Sequence, residues 1–361
     1  MGSLLLELGA DVIKIEPPVT GDPSRHVSPW GFLNYNLGKK SLSLNLKSDE
    51  GQKILRQMIK KKKVDIFVEN LGPRVADRLG ISYGTLSKLN PGLIYCSVKG
   101  FSRNSRDYER PAFDAVAQAM SGMMSLTGVP GGEPVRVGNP STDLGAAAYG
   151  AIQVLGAILE RHRSKKGKFI EVSLLDMSVY WNGYWLSYFG MTGRLPERLG
   201  SGHPGYSPHK VFKTRDGQWV FVATLSDQQW KKLSSLLELN LDNDYDEMKY
   251  RIDHRAEVEE ALQIAISRLD CDELLDRLRT DVPCAKVRTI EEVYNDRELR
   301  DFGVLQETAD SDKKVFIAKP PIIPRRKLKG APELGKDNER ILKSLGYEKS
   351  EIQEFRRLGV L

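Results

Sequence analysis

Up to about residue 190 the chain alternates between two kinds of segment, and that alternation limits the fold more than any single residue does. Asp11-Val-Ile-Lys-Ile-Glu16, Ser41-Leu-Ser-Leu-Asn-Leu46, Val64-Asp-Ile-Phe-Val-Glu69 and Leu93-Ile-Tyr-Cys-Ser-Val98 are short and β-branched or alternating, as strands are. Helical periodicity occupies 49–62, 74–89, 113–126 and 143–163, and Phe169-Ile-Glu-Val-Ser173 reads as a further strand. Strands separated by helices need crossover connections, so the pattern predicts an α/β domain with a mostly parallel sheet.

Near residue 195 turn formers take over: Gly193, Pro196, Gly200, Gly202, Pro204, Gly205 and Pro208. Beyond them His209-Lys-Val-Phe-Lys-Thr214 and Gln218-Trp-Val-Phe-Val-Ala223 flank Arg215-Asp216-Gly217, and an Asp-Gly pair between apolar runs signals a hairpin. Helical patterns follow at about 226–238, 255–269 and 271–280, which makes this block α+β. The Pro-rich Lys319-Pro-Pro-Ile-Ile-Pro324 ends it, and short helices at about 336–345 and 349–357 close the chain. The expected division is a large α/β domain over 1–195, a small α+β domain over 205–320, and C-terminal helices over 325–361.

A chain of 361 residues, 40% hydrophobic and 28% charged, has room for two domains and a substantial core. The net charge of +6 is mild and spread out, so it suits a polyanionic small molecule but gives no sign of nucleic acid. Lys60-Lys61-Lys62-Lys63 falls at a helix end, where cations complement the dipole. Cys96, Cys271 and Cys284 are widely spaced and odd in number, against a disulfide framework or zinc site and for a reducing, cytoplasmic setting. Five histidines show no metal-ligand spacing, and no metal is expected. No stretch reaches the ~18 apolar residues of a membrane span, and the opening Met1-Gly-Ser-Leu-Leu-Leu-Glu7 lacks the basic start of a signal peptide.

Asp143 is the residue whose setting speaks most directly to chemistry. It follows the turn-rich Gly138-Asn-Pro-Ser-Thr142 and opens a run with Leu144, Ala148, Ala151, Ile152, Leu155, Ile158 and Leu159 at helical spacing. That puts it at the N-cap or first turn, where free N–H groups and the dipole orient a carboxylate and keep it ionised. An ordinary capping aspartate fits the same spacing. Gly200-Ser-Gly-His-Pro-Gly205 matches G-x-G-x-x-G, yet Pro204 interrupts it and a hairpin strand follows where a dinucleotide site requires a helix.

Several segments together resemble the class III CoA-transferase family, which includes formyl-CoA transferase, carnitine CoA-transferase and α-methylacyl-CoA racemase. They are Leu8-Gly-Ala-Asp-Val-Ile-Lys-Ile-Glu16, Gly21-Asp-Pro-Ser-Arg25, Lys39-Lys-Ser-Leu-Ser-Leu-Asn-Leu-Lys47 and Val68-Glu-Asn-Leu-Gly72. Asn90-Pro-Gly-Leu-Ile-Tyr95, Phe113-Asp-Ala-Val-Ala-Gln-Ala-Met-Ser-Gly122, the Asp143 helix and Val282-Pro-Cys-Ala-Lys-Val287 continue them in family order.

The resemblance implies a Rossmann-like large domain, CoA as a substrate with no tightly bound cofactor, and an acyl-CoA and a free carboxylic acid as reactants. It also implies Asp143 as the nucleophile that forms an aspartyl-CoA intermediate. Leu44, Asn45, Leu46 and Lys47 would line the nucleotide end of CoA, with Lys47 and Arg78 as phosphate partners. Asn70, Leu71 and Gly72 would form a CoA loop after a strand. Pro17 stands where some members have an arginine, leaving that contact absent or supplied by Arg25. Gly200, Gly202 and Gly205 would form a glycine loop over the thioester; a plain interdomain linker fits them equally.

Racemases of the family carry a histidine where this chain has Phe113, which cannot move protons. They also place a glutamate on the hairpin strand, where this chain reads Thr224-Leu-Ser-Asp227 with Ser226 in register. Both differences favour CoA transfer over α-proton exchange. Asp114 matches an acidic active-site position and fits a helix first turn as well. Members usually carry some twenty or more residues ahead of the Leu-Gly-Ala-Asp segment, forming a first strand. Seven precede Leu8 here, which implies a sheet weakened at its centre. The family pattern further implies an interlocked homodimer.

Overall fold

The computed structural model describes residues 1–61, 64–308, 314–323 and 325–361; Lys62, Lys63 and Pro324, which the sequence reading used, lie outside the described residues. The chain forms two units. One comprises Met1–Ser121, Gly138–Gly183 and Asp296–Leu361; the other comprises Gly122–Val137 and Tyr184–Asn295.

The first unit is mixed α/β with parallel strands. β1 (Ile13–Glu16) pairs with β2 (Lys40–Ser43), and β3 (Ile66–Glu69), β4 (Ile94–Lys99) and β5 (Lys168–Ser173) pair in that order, all parallel. The two ladders are separate, so β1 and β3 each keep an unpaired edge among the described residues.

α1 (Asp49–Lys61) shows why these segments fold as they do. Ile54, Leu55, Met58 and Ile59 recur on one face and are buried, each contributing about 1.5–3 kcal/mol of transfer free energy. Asp49 and Glu50 open it, and Lys60 and Lys61 close it, matching the dipole at both ends. α2 (Asp114–Met120) and α3 (Ser141–Ser164) follow β4 in the chain, and α4 (Leu174–Trp181) follows β5. α3 is long and apolar enough by length and composition to cross a membrane, which the sequence reading did not anticipate. One face of it, the small-residue stripe of Gly145, Ala146, Gly150, Ala151, Val154 and Ala157, is buried. At Gly145 the approach is close: an added Cβ would lie 2.6 Å from Met177 Sδ of α4.

Two expected helices are broken. The 74–89 pattern splits into Val75–Arg78 and Tyr83–Leu86 at Gly80, whose φ of +66° lies in the left-handed region. The 113–126 pattern splits at Gly122, φ +86°, into α2 and Met123–Leu126.

In the second unit, β6 (His209–Lys213) and β7 (Trp219–Ala223) form the expected hairpin with Gly217 at φ +80°. α5 (Asp227–Leu236), α6 (Arg255–Ile266) and α7 (Cys271–Leu278) pack about Phe212, Val220, Trp230 and Leu262, and β8 (Cys284–Lys286) adds to β7. Its limits differ from the 205–320 expected, because Leu305–Glu307 and Phe316–Ala318 pair with each other inside the first unit. α8 (Asn338–Leu345) and α9 (Lys349–Arg357) return to the first unit, where Leu342, Leu345 and Ile352 join Leu42, Leu55 and Tyr95 in one core.

Candidate active site

Asp143 is the third residue of α3, in its first turn, and Pro140 at the N-cap supplies no side-chain cap. The start of the helix is held from elsewhere. Asp114, the first residue of α2, is buried, and its Oδ1 accepts the Thr142 amide and the Thr142 hydroxyl, each at 2.8 Å. Gln118 Nε2 donates to its other oxygen at 2.7 Å. A carboxylate twenty-eight residues away in sequence therefore does the work of a cap and fixes the backbone immediately before Asp143.

The Asp143 side chain reaches solvent, yet nearby protein removes enough water to push its pKa above the ordinary aspartate value, and the Asp114 charge pushes the same way. The helix-start placement was expected to favour the ionised form. Desolvation and a like charge outweigh it here. A carboxylate of raised basicity is also the better nucleophile once deprotonated.

The loop after β3 is anchored by a buried ion pair. Lys99 Nζ reaches both Glu69 oxygens at 2.8 and 2.9 Å and the Leu71 carbonyl at 2.6 Å, while Glu69 accepts the Leu71 amide at 2.8 Å. Asn70 and Gly72 are thereby left exposed on a rigid turn. A cleft of about 380 Å³ opens beside it, lined by Gly72, Glu69, Tyr83, Tyr95, Lys99 and Phe169 among others. Neither Asp143 nor Arg78 lines it. Lys99 did not figure in the sequence reading, and Thr142 figured only as part of a turn. The signal at Lys99 is a lone cation ending a mostly apolar strand.

Leu44 is 1% exposed and packs in the core, so it can offer a ligand only its backbone. Leu46 is partly buried against the same core. The Asn45 side chain accepts the Lys47 amide at 3.1 Å, and its own amide donates to the Val360 carbonyl, tying this segment to the C-terminus. Lys47 and Arg78 are exposed. Arg25 donates through Nε and Nη2 to Glu16 at 2.7 and 2.8 Å and through Nη2 to the Pro332 carbonyl, and it stacks on Phe32.

Phe113 is the 65%-exposed residue preceding α2. Ser226 caps α5 by accepting the Gln229 amide, a helix start where a strand register was expected. Asp227 is tied at 2.9 Å to Arg251, which is wholly buried. Gly200 (φ +60°), Gly202 and Gly205 form a turn that leads into β6, so no helix follows the G-x-G-x-x-G pattern. Among the described residues no group of His, Cys, Asp and Glu gathers to hold a metal.

Parallel strands with connecting helices and an accessible carboxylate at a helix start describe an α/β enzyme. The chain belongs to CoA-transferase family III, whose family model matches residues 1–338, and it is a CoA-transferase of that family. It is 30% identical to a succinate–glutarate CoA-transferase of Agrobacterium fabrum, over 95% of this chain and 91% of that one. It is 35% identical to an acetyl-CoA:oxalate CoA-transferase of Acetobacter aceti, over 81% of this chain and 77% of the relative. Among solved structures, a CAIB/BAIF family protein from Brucella suis superposes with a TM-score of 0.85 at 29% identity, covering 95% of this chain and 94% of that one.

Proposed function

We propose that the protein transfers CoA between an acyl-CoA and a short dicarboxylic acid, with Asp143 as the nucleophile. The observation that carries the reading is Asp143 itself: solvent-accessible, raised in basicity, and set on a backbone that Asp114 holds through Thr142. The Asp143 carboxylate attacks the thioester carbonyl, the C–S bond breaks, and CoA leaves as thiolate from a mixed anhydride. The thiolate then attacks the aspartyl carbonyl, which expels the first acid and leaves an aspartyl-CoA thioester. The acceptor carboxylate attacks that thioester and the sequence runs in reverse, regenerating Asp143. No net proton or redox equivalent is consumed.

The dicarboxylate follows from relatives named for succinate, glutarate and oxalate. Lys47 and Arg78, both exposed, suit CoA phosphates, and the rigid Asn70-Leu71-Gly72 turn suits the rest of the cofactor arm. The α-proton-exchange alternative lacks a second proton carrier: Phe113 has none to offer and Asp227 is committed to Arg251. A homodimer in a reducing cytoplasm completes the reading. In support, Leu144, Ile152, Leu155 and Leu159 of α3 and Tyr180 and Trp181 of α4 form an exposed apolar surface.

Replacing Asp143 with Ala tests the reading. Exchange of CoA between succinyl-CoA and glutarate should vanish, and hydroxylamine added during turnover of the unmodified enzyme should leave a hydroxamate at Asp143. Full exchange by the Ala variant would overturn the assignment.

A further inference from the structure

The turn from His203 to His209 in the second unit gathers polar groups that the fold leaves unsatisfied. Ser207 is wholly buried, and among the described residues its Oγ has no hydrogen-bond partner; nor has buried His209 Nδ1, nor buried Arg255 Nη1. Unpaired buried groups are rare because each costs about 1–3 kcal/mol, so three about one turn call for an occupant. His203 links two of them, Arg255 and His209, and Ser207 lies on the turn between the two histidines. Arg255 Nη2 donates to the His203 carbonyl at 2.9 Å and the Pro204 carbonyl at 3.3 Å, and the His203 ring lies 5.4 Å from that of His209.

The charge balance says what that occupant is. Among the described residues Arg255 has no ion-pair partner within reach; Glu259, the carboxylate that acts on it from a distance, is itself bound to Lys210. A half-buried guanidinium without a counter-ion is stabilised by an anion that takes its free N–H. One cation, one hydroxyl and one imidazole suit a planar monoanionic group better than a phosphate dianion, which calls for more positive charge. His203 Nδ1 already accepts the Gly205 amide at 3.1 Å, which leaves its other ring nitrogen as a donor.

We infer that Arg255, Ser207 and His209 form a binding site for the carboxylate of a small organic acid. The choice of succinate as first probe rests on the dicarboxylate reading above; the site does not. The glycines at 202 and 205 give this turn the backbone freedom to admit a ligand to atoms that are now covered.

Imidazole ¹⁵N–¹H NMR of the full-length protein tests the assignment without using turnover. Succinate, and acetate more weakly, should shift the His203 and His209 resonances saturably, whereas chloride at matched ionic strength should not. Arg255→Gln should weaken succinate binding by about tenfold or more, the loss expected for one hydrogen bond to a charged group. Should that variant fail to fold, Ser207→Ala serves in its place with a smaller loss. No saturable shift with any carboxylate, an equal shift with chloride, or undiminished binding in a folded variant would overturn the site. Binding that persists in an inactive Asp143→Ala protein would leave the site standing whatever becomes of the mechanism, and turnover without binding would remove the site alone.

Discussion

Asp114→Ala is the change that most directly tests how the active-site helix is held. The substitution removes the acceptor of the Thr142 amide, the Thr142 hydroxyl and Gln118. Thr142 is 0% exposed, so water cannot replace the carboxylate there. Its hydroxyl keeps the Asp114 main-chain carbonyl at 3.3 Å, which leaves its amide as the orphaned donor and a loss of about 1–3 kcal/mol. Relief of the desolvation cost of the buried carboxylate acts the other way and favours the lower half of that range. Against a total stability of about 5–15 kcal/mol the effect is large. Urea unfolding followed by circular dichroism measures it, with Thr142→Val as companion: that variant keeps the amide bond and should lose less. Activity in the folded Ala variant should fall further than the unfolded fraction accounts for, because the turn before Asp143 is no longer fixed. No measurable loss would refute the reasoning, since a buried amide cannot go unpaired without cost.

Attack requires the Asp143 carboxylate to be ionised, so kcat/KM should fall with decreasing pH through a pKa above the ordinary aspartate value, and Asp114→Asn should move that acidic limb to lower pH. A limb that stays fixed would mean the Asp114 charge is not felt. A raised carboxylate pKa disfavours the folded state above that pKa, so Asp143→Asn should melt higher than the unmodified protein at pH 7, with the gain disappearing as the pH drops below the Asp143 pKa. Gly51→Ala should be severely destabilising, because its Cβ would sit 2.0 Å from the Asn45 carbonyl oxygen, a backbone atom that cannot step aside; a melting temperature within a degree or two of the parent would contradict the packing of that loop. Sedimentation at low micromolar concentration should give a dimer, and a well-folded monomer would remove the proposed partner for the apolar face of α3.

Elements whose signals are local were readable from the sequence. The alternation of β1 to β5 with helices, the Asp216-Gly217 hairpin and the placement of Asp143 in a helix first turn all depend on neighbours within a few residues. The breaks at Gly80 and Gly122 were missed because apolar periodicity continues across a single left-handed residue. Leu44 was read as lining a ligand, but its side chain turns into the core, since a strand end alternates faces and spacing alone does not say which face is covered. The Asp114–Thr142 and Glu69–Lys99 pairs join segments twenty-eight and thirty residues apart, and Arg255 meets His203 across fifty-two; no pattern along the chain encodes such meetings.

The first unit is assembled from three separate stretches of chain, and its core closes only when Leu342, Leu345 and Ile352 join Leu42 and Leu55. On the ribosome that arrangement is a matter of timing. At about 5–20 residues per second, β1 and β2 wait some tens of seconds for α8 and α9, with their apolar faces uncovered throughout. Most of the second unit runs continuously from Tyr184 to Asn295 and leaves the tunnel earlier, free to fold while the first is still a fragment. The earliest residues made are thus among the last to be secured, and the nascent chain depends on whatever shields them in the meantime.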